Sequence, residues 1–206
     1  MIACIIPTYD SLPTLKKLVK NIFDYTEDFR IYVIEDGQKK ATLNWLKKQD
    51  IYTIGHHENK GVAVSWNDGL RQAKADGCTH FAVMNDDIEL PPDWQKCLKE
   101  FKRAHLVSIK TDLPNTVIAG WFFVLDLEAL DKVGYFDEQF SPFFWEDIDY
   151  GVRYQRSRLA YSIINLNIFH HGGITTYGKM KDKQKAVFEL NRTRFQKKYP
   201  DIRLCV

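Results

Sequence analysis

Three acidic stretches and one pair of histidines hold the residue types that could do chemistry in this sequence. Asn85-Asp86-Asp87 offers adjacent carboxylates. Hard divalent cations such as Mg²⁺ or Mn²⁺ take such oxygens and keep positions open for substrate phosphates. Glu146-Asp147, with Asp149 close by, follows Phe143-Phe144-Trp145. Aromatic neighbours desolvate a carboxylate and raise its basicity, as a general base requires, and a ring can also stack on a sugar face. His170-His171 stands before Gly172-Gly173, a setting that suits a metal ligand in a loop. Glu35-Asp36-Gly37 is the third acidic stretch, and Pro7-Thr8-Tyr9-Asp10 adds a polar turn near the N-terminus.

Each of these has a plainer explanation when taken alone. Asp and Asn are ordinary turn and cap residues. The run from Trp145 to Arg153 reads as a helix start, where the dipole favours carboxylates. The case for a site rests on where these residues fall relative to the elements.

The chain alternates strand-like and helix-like segments. Ile2 to Ile6 is a short buried-strand run. Leu15, Leu18, Val19, Ile22 and Phe23 then mark one helix face, with Ser11 or Leu12 at its cap and Pro13 in its first turn. Ile31 to Ile34 and Ile51 to Ile54 are the second and third strands, separated by a weaker helix through Leu43, Trp45 and Leu46. A helix from about Gly61 to Ala75 leads to a fourth strand, Phe81 to Met84. After Pro91-Pro92, Trp94, Cys97, Leu98 and Phe101 share a helix face. This opening implies a parallel sheet covered by helices on both faces. Ligands bind beyond the carboxyl ends of the strands in such a sheet. The polar clusters at Thr8, Asp36 and Asp86 follow the first, second and fourth strands, so they converge on one edge.

The second half is more mixed. Val107 to Lys110, Val117 to Leu125, Tyr161 to Asn165 and Asn167 to Phe169 are strand-like. Glu128 to Val133 and Glu146 to Arg158 are helix-like. A final basic helix spans Asp182 to Lys198, with an expected apolar stripe of Val187, Leu190, Phe195 and Tyr199. No repeat, low-complexity tract or linker divides the chain, so residues 1–206 read as one domain, either a small enzyme or part of a longer protein.

Composition narrows the function. With 206 residues, 45 % hydrophobic and 27 % charged, the chain is neither fibrous nor disordered. A net charge of +2 does not favour nucleic acid as a partner. The charge is uneven, however. Residues 179–206 carry nine Lys/Arg against three Asp/Glu, a local +6 that leaves the rest at −4. That tail reads first as a docked amphipathic helix with solvated charges. Its sharper reading is peripheral contact with an anionic membrane. The longest uncharged apolar run, Val117 to Leu125, has nine residues, where a spanning helix needs about 20. The first residues lack the pattern of a signal peptide, and a cytoplasmic location is expected. Cys4, Cys78, Cys97 and Cys205 have no zinc or redox spacing and read as free thiols. The first βα turn contains no glycine, which excludes a dinucleotide fingerprint.

At this point the ordered motifs resemble a known family. Ile5-Ile6-Pro7-Thr8-Tyr9, Val33-Ile34-Glu35-Asp36-Gly37, Asn59-Lys60-Gly61, Asn67-Asp68-Gly69-Leu70 and Asn85-Asp86-Asp87 are similar to family 2 glycosyltransferases of the GT-A type. Ala119-Gly120-Trp121, Val133-Gly134-Tyr135-Phe136-Asp137-Glu138, Phe144-Trp145-Glu146-Asp147-Ile148-Asp149 and His170-His171-Gly172-Gly173 continue the match. Their order is that of the branch with rhamnosyl-, galactofuranosyl- and glucosyl-type transferases. The resemblance implies an α/β GT-A fold, Rossmann-like, with a mixed sheet flanked by helices.

It also implies roles. Pro7, Thr8 and Tyr9 would line the nucleotide pocket, and Asp36 would accept the N3–H of a uracil or thymine. Asn59, Gly61, Asn67, Asn85 and Asp86 would shape the nucleotide and diphosphate wall. Asp87 with Asp86 would hold Mn²⁺ or Mg²⁺, completed by His170 or His171. Asp147 would be the general base, with Glu146 next in line. Gly120, Trp121 and Trp145 would face the sugar and acceptor. Glu35 and Asn85 stand where the family more often has Asp, and the second leaves the choice between Asp86 and Asp87 open. One base and no dedicated nucleophile implies single displacement with inversion. The donor would be a pyrimidine nucleotide-diphosphate sugar, and the acceptor a glycan or lipid-linked hydroxyl. A nucleotidyltransferase would want a Gly- and Lys-rich phosphate loop, which the first turn lacks. A non-catalytic binding module would be expected to have lost Asp87, Asp147 or the histidines.

Overall fold

The computed structural model describes residues 1–110, 117–172 and 181–202. Gly173, Lys179 and Cys205 lie outside the described residues. The chain runs β1 (Ile2–Thr8), α1 (Leu12–Tyr25), β2 (Phe29–Glu35), α2 (Lys40–Leu46), β3 (Tyr52–Gly55), α3 (Val62–Ala75) and β4 (His80–Met84). It continues through β5 (Ile88–Glu89), β6 (Leu106–Ile109), β7 (Phe122–Asp126), α4 (Leu127–Val133), α5 (Glu146–Ser157), β8 (Tyr161–Ile164), β9 (Phe169–His170) and α6 (Lys181–Lys198).

Seven strands form one sheet in the order β3-β2-β1-β4-β7-β6-β8. The β1, β2, β3 and β4 pairings are parallel, β7 is antiparallel to both neighbours, and β6 and β8 are parallel. This is the expected mixed α/β layout. The alternation of β1 shows why it has two cores. Ile2, Cys4 and Ile6 face Leu15, Leu18 and Ile22 of α1, while Ala3 and Ile5 face Trp66 and Leu70 of α3. A two-stranded ribbon, β5 with β9, stands apart from the main sheet and carries His170 opposite Ile88.

Three expectations are corrected. Val117 to Leu125 is not one strand: β7 starts at Phe122, and the residues before it turn back through an Ala119–Phe122 bridge. Their apolar side chains are buried in a turn that approaches α5, so hydrophobicity signalled burial rather than extension. The segment after Pro91-Pro92 is a run of tight 3₁₀ turns, Trp94–Lys102, rather than an α-helix. In α6 the buried positions are Asn191 and Phe195, and Tyr199 just past its end is buried as well, whereas Leu190 is 51 % exposed. Phe195 and Tyr199 are thus buried as expected, while Leu190 is not and the polar Asn191 is. Among the described residues no helix is long and apolar enough to cross a membrane.

Candidate active site

Beyond the carboxyl ends of β1, β2 and β3, Asp36 is buried among donors. The backbone amides of Lys60 and Gly61 each donate to it at 2.8 Å, one to Oδ1 and one to Oδ2. His56 Nδ1 lies 2.7 Å from Asp36 Oδ1, and His56 Nε2 lies 2.9 Å from Asp68 Oδ2. Ionised carboxylates only accept, so an imidazole between two of them donates from both nitrogens and is charged. The bond to Asp36 raises the His56 pKa above its usual value, burial opposes it, and Asp68 adds to the rise. Asp36 Oδ1 takes two of these donors and Oδ2 one, which leaves room on Oδ2 for a ligand N–H.

Gly61 joins this loop to the next. Its φ of +96° suits glycine, and a Cβ there would come within 2.6 Å of Pro142 Cα. Ser141 Oγ donates to Lys60 O at 2.8 Å, and Val62 N donates to Pro142 O at 2.9 Å. The loop that surrounds Asp36 and the loop that precedes Glu146 are therefore one packed unit.

At the end of β4, Thr8 Oγ1 donates to Asp86 Oδ2 at 2.6 Å. Asp87 Oδ1 lies 3.2 Å from His170 Nε2, but the two are not aligned as a hydrogen bond. The His170 ring stacks on Trp121 with centroids 4.6 Å apart and planes 18° from parallel. Trp121 is anchored in turn, since its carbonyl accepts from Asn85 N at 3.0 Å. His171 turns away. Its backbone N donates to Asp87 O at 2.9 Å, and its Nε2 lies 2.8 Å from Glu89 Oε1. Of the two histidines, His170 faces Asp87.

This pair fits a divalent ion. A buried imidazole nitrogen without a hydrogen-bond partner points at a carboxylate oxygen, and a stacked indole fixes its ring. Among the described residues no group of three or more His, Cys, Asp or Glu is arranged to hold a metal ion. Two protein ligands suit an ion that fills its shell with water and substrate phosphates.

Gly120 connects this pair to the second acidic cluster. A Cβ on Gly120 would collide with Asp147 Oδ2, so the absence of a side chain lets the backbone lie against that carboxylate. Asp147 Oδ1 accepts from Ile148 N at 2.8 Å. Burial raises the pKa of Asp147, and the Ile148 amide only partly offsets it. Glu146 is pushed well above the usual carboxylate range, first by burial and then by Asp147, and its Oε2 is buried without a partner. The turn that delivers both acids is strained: Phe144 and Trp145 have φ of 72° and 78°. Left-handed backbone at non-glycine residues costs about 1–3 kcal/mol per position and recurs at functional sites.

Several expected residues lie elsewhere. Asn67 is fully buried; it bonds Phe136 through both its Oδ1 and Nδ2 and also reaches Glu138, so it fastens a loop rather than lining a pocket. Trp145 is 2 % exposed and packs on Phe195 and Phe188 of α6, with no face open to a sugar. Pro7 belongs to β1, opposite Ile34. Tyr9 covers Gly37, and its ring lies 5.5 Å from Lys39 Nζ. Asn59 and Asn85 are half-buried beside the Asp36 loop and the Asp86-Asp87 pair. The sequence reading gave His56 no place and Asp68 none beyond the Asn67–Leu70 motif. His56 follows β3, so the strand-end rule applied to the other strands would have found it.

The sequence model for glycosyl transferase family 2 matches residues 3–159. No curated protein sequence matches at a significant level. Among solved structures, Staphylococcus aureus TarS 1–349 superposes with a TM-score of 0.68 at 14 % identity, covering 98 % of this chain and 75 % of that one. TarS 1–349 in complex with UDP gives 0.66 at 16 %, over 79 % and 57 %. The mannosyltransferase PcManGT from Pyrobaculum calidifontis, in complex with GDP-Man and Mn²⁺, gives 0.63 at 17 %, over 81 % and 55 %. At such identities these likenesses speak to the fold, and the chain aligns with little more than half of two of the three structures.

Proposed function

The chain belongs to glycosyl transferase family 2, and on that footing we propose that residues 1–206 form an inverting, metal-dependent transferase domain. Its donor is a UDP- or dTDP-sugar, and its acceptor is a hydroxyl of a glycan or lipid-linked glycoconjugate. The observation that carries this reading is a continuous path of contacts. Asp87 faces His170, His170 stacks on Trp121, and the adjacent Gly120 lies against Asp147. A candidate ion pair and a candidate base are thus set on either side of one Gly-Trp step.

Asp87 and His170 would hold Mn²⁺ or Mg²⁺, and the imidazole favours Mn²⁺. When bound, the ion supplies Lewis-acid stabilisation of the charge that develops on a leaving diphosphate. Thr8 orients Asp86 at the edge of this site. Asp147, made more basic by burial, takes the proton of the acceptor hydroxyl as that oxygen attacks the anomeric carbon. The bond to the diphosphate oxygen breaks, the nucleoside diphosphate departs, and the anomeric centre inverts. Asp36 Oδ2 would accept the imide N–H of a pyrimidine, which a purine does not present in the same geometry.

The test is a panel of UDP-, dTDP- and GDP-sugars with Mn²⁺, scoring nucleotide release and product stereochemistry. Turnover confined to pyrimidine donors, with inversion, is expected. Turnover of GDP-sugars alone would remove the pyrimidine assignment, and retention at the anomeric carbon would remove single displacement.

A further inference from the structure

The matched family region ends at residue 159, yet the turn that presents Glu146 and Asp147 is held from outside it. Asn191, in the middle of α6, is completely buried. Its Nδ2 lies 2.8 Å from Phe140 O, 3.0 Å from Phe143 O and 3.1 Å from Phe144 O. One amide group, with two hydrogens, thus serves three carbonyls of the turn leading to the acids. The orientation of the amide is set on its other side, where Arg194 Nη1 donates to Asn191 Oδ1 at 2.8 Å and to Gln139 O at 2.5 Å. The peptides gripped by Asn191 border the two left-handed residues, Phe144 and Trp145. A buried donor shared among successive carbonyls is what such a turn needs to keep from relaxing.

We propose that α6 is a positioning element for the catalytic carboxylate, and that Asn191 sets Asp147 by holding the Phe140–Phe144 carbonyls. The inference rests on the reading of Asp147 as base. Asn191 touches no substrate and acts only through the backbone of the turn. Hydrophobic docking is a separate matter, carried by Phe195 against Trp145 and Phe140. Lys198 and Tyr199 anchor the end of the helix on the buried Asp149. The two functions can therefore be separated by mutation within a single helix.

The experiment compares Asn191→Ala, Arg194→Ala, Phe195→Leu and Asp147→Asn in the full chain. Hydrogen exchange over residues 143–149, UDP affinity and steady-state transfer are measured for each. Asn191→Ala should speed exchange in that segment and lower kcat at least tenfold, with KM for the donor and UDP affinity within twofold of wild type. Arg194→Ala frees the amide to turn without emptying the core, so it should show a smaller loss of kcat in the same pattern. Should Asn191→Ala fold poorly, this variant carries the test. Phe195→Leu should lower the unfolding midpoint with kcat per folded molecule unchanged. If both Asn191→Ala and Arg194→Ala keep wild-type kcat while Asp147→Asn is inactive, the positioning role is overturned. If kcat falls equally in all three α6 variants, α6 is merely structural and the proposal is likewise overturned. Full activity of Asp147→Asn overturns the base itself, an outcome recognisable without reference to α6.

Discussion

The surroundings of Asp36 and those of Glu146-Asp147 treat carboxylates in opposite ways. Asp36 receives two backbone amides and a charged imidazole, all within 2.8 Å. Glu146 keeps a buried oxygen with no partner, and Asp147 receives one amide from its neighbour while its other oxygen lies against Gly120. Donors around a carboxylate stabilise its charge and leave it a weak base. Burial without donors does the reverse. On the proposed reading the first region serves recognition of the nucleotide. The second, with few donors around its acids, would serve proton abstraction.

The sharpest way to break this division is to remove what both regions are proposed to serve. Excess EDTA, or Asp87→Ala, should reduce transfer by about 10³-fold, since Lewis-acid stabilisation of a leaving phosphate contributes several kcal/mol. The circular dichroism of the variant should match wild type. Undiminished turnover in chelator would remove the ion from the mechanism.

Next in size is the base. Asp147→Asn keeps the shape and removes the basicity, so kcat should fall by about 10²-fold or more while UDP binding persists. Its pH dependence separates the two regions. The active form is deprotonated and burial raises the pKa, so kcat should fall with decreasing pH at a midpoint above the usual aspartate value. Glu146 is held higher still, by burial and by Asp147, so it remains neutral while Asp147 loses its proton, and Glu146→Gln should leave that midpoint nearly in place. A midpoint that moves to lower pH in Glu146→Gln would show instead that Glu146 is already charged when Asp147 titrates.

The first region was legible in the sequence for a physical reason. Parallel strands bury both faces, so their hydrophobic runs are continuous, and the first polar residue after each run marks the open edge. Thr8, Asp36 and Asp86 were found this way. The second region depends on turns, where burial no longer implies an extended chain. Val117 to Trp121 read as strand because the turn against Asp147 is apolar. Trp145 read as a sugar platform because nothing local reveals that α6 covers it. Asn67 and Asn191 show the same limit. An asparagine that fastens distant backbone looks like one that lines a pocket, because its partners are 69 and about 50 residues away.

The smallest expected effect tests whether the charge on Asp36 is held by His56. The folded-state pKa of His56 is raised, chiefly by Asp36, so folding takes up a proton there. The associated stability is complete below the unfolded value of about 6.5 and disappears as pH rises through the folded one. His56→Ala should therefore lower the unfolding midpoint more at pH 6 than at pH 8.5, measured against wild type at each pH so that other titrating groups cancel. The Lys60 and Gly61 amides remain on Asp36 in this variant. UDP affinity should therefore fall only about three- to tenfold, the scale of one ordinary net hydrogen bond of about 1 kcal/mol. A penalty equal at both pH values would mean that His56 packs in this pocket without its charge. The contrast between the two regions would then rest on the backbone amides alone.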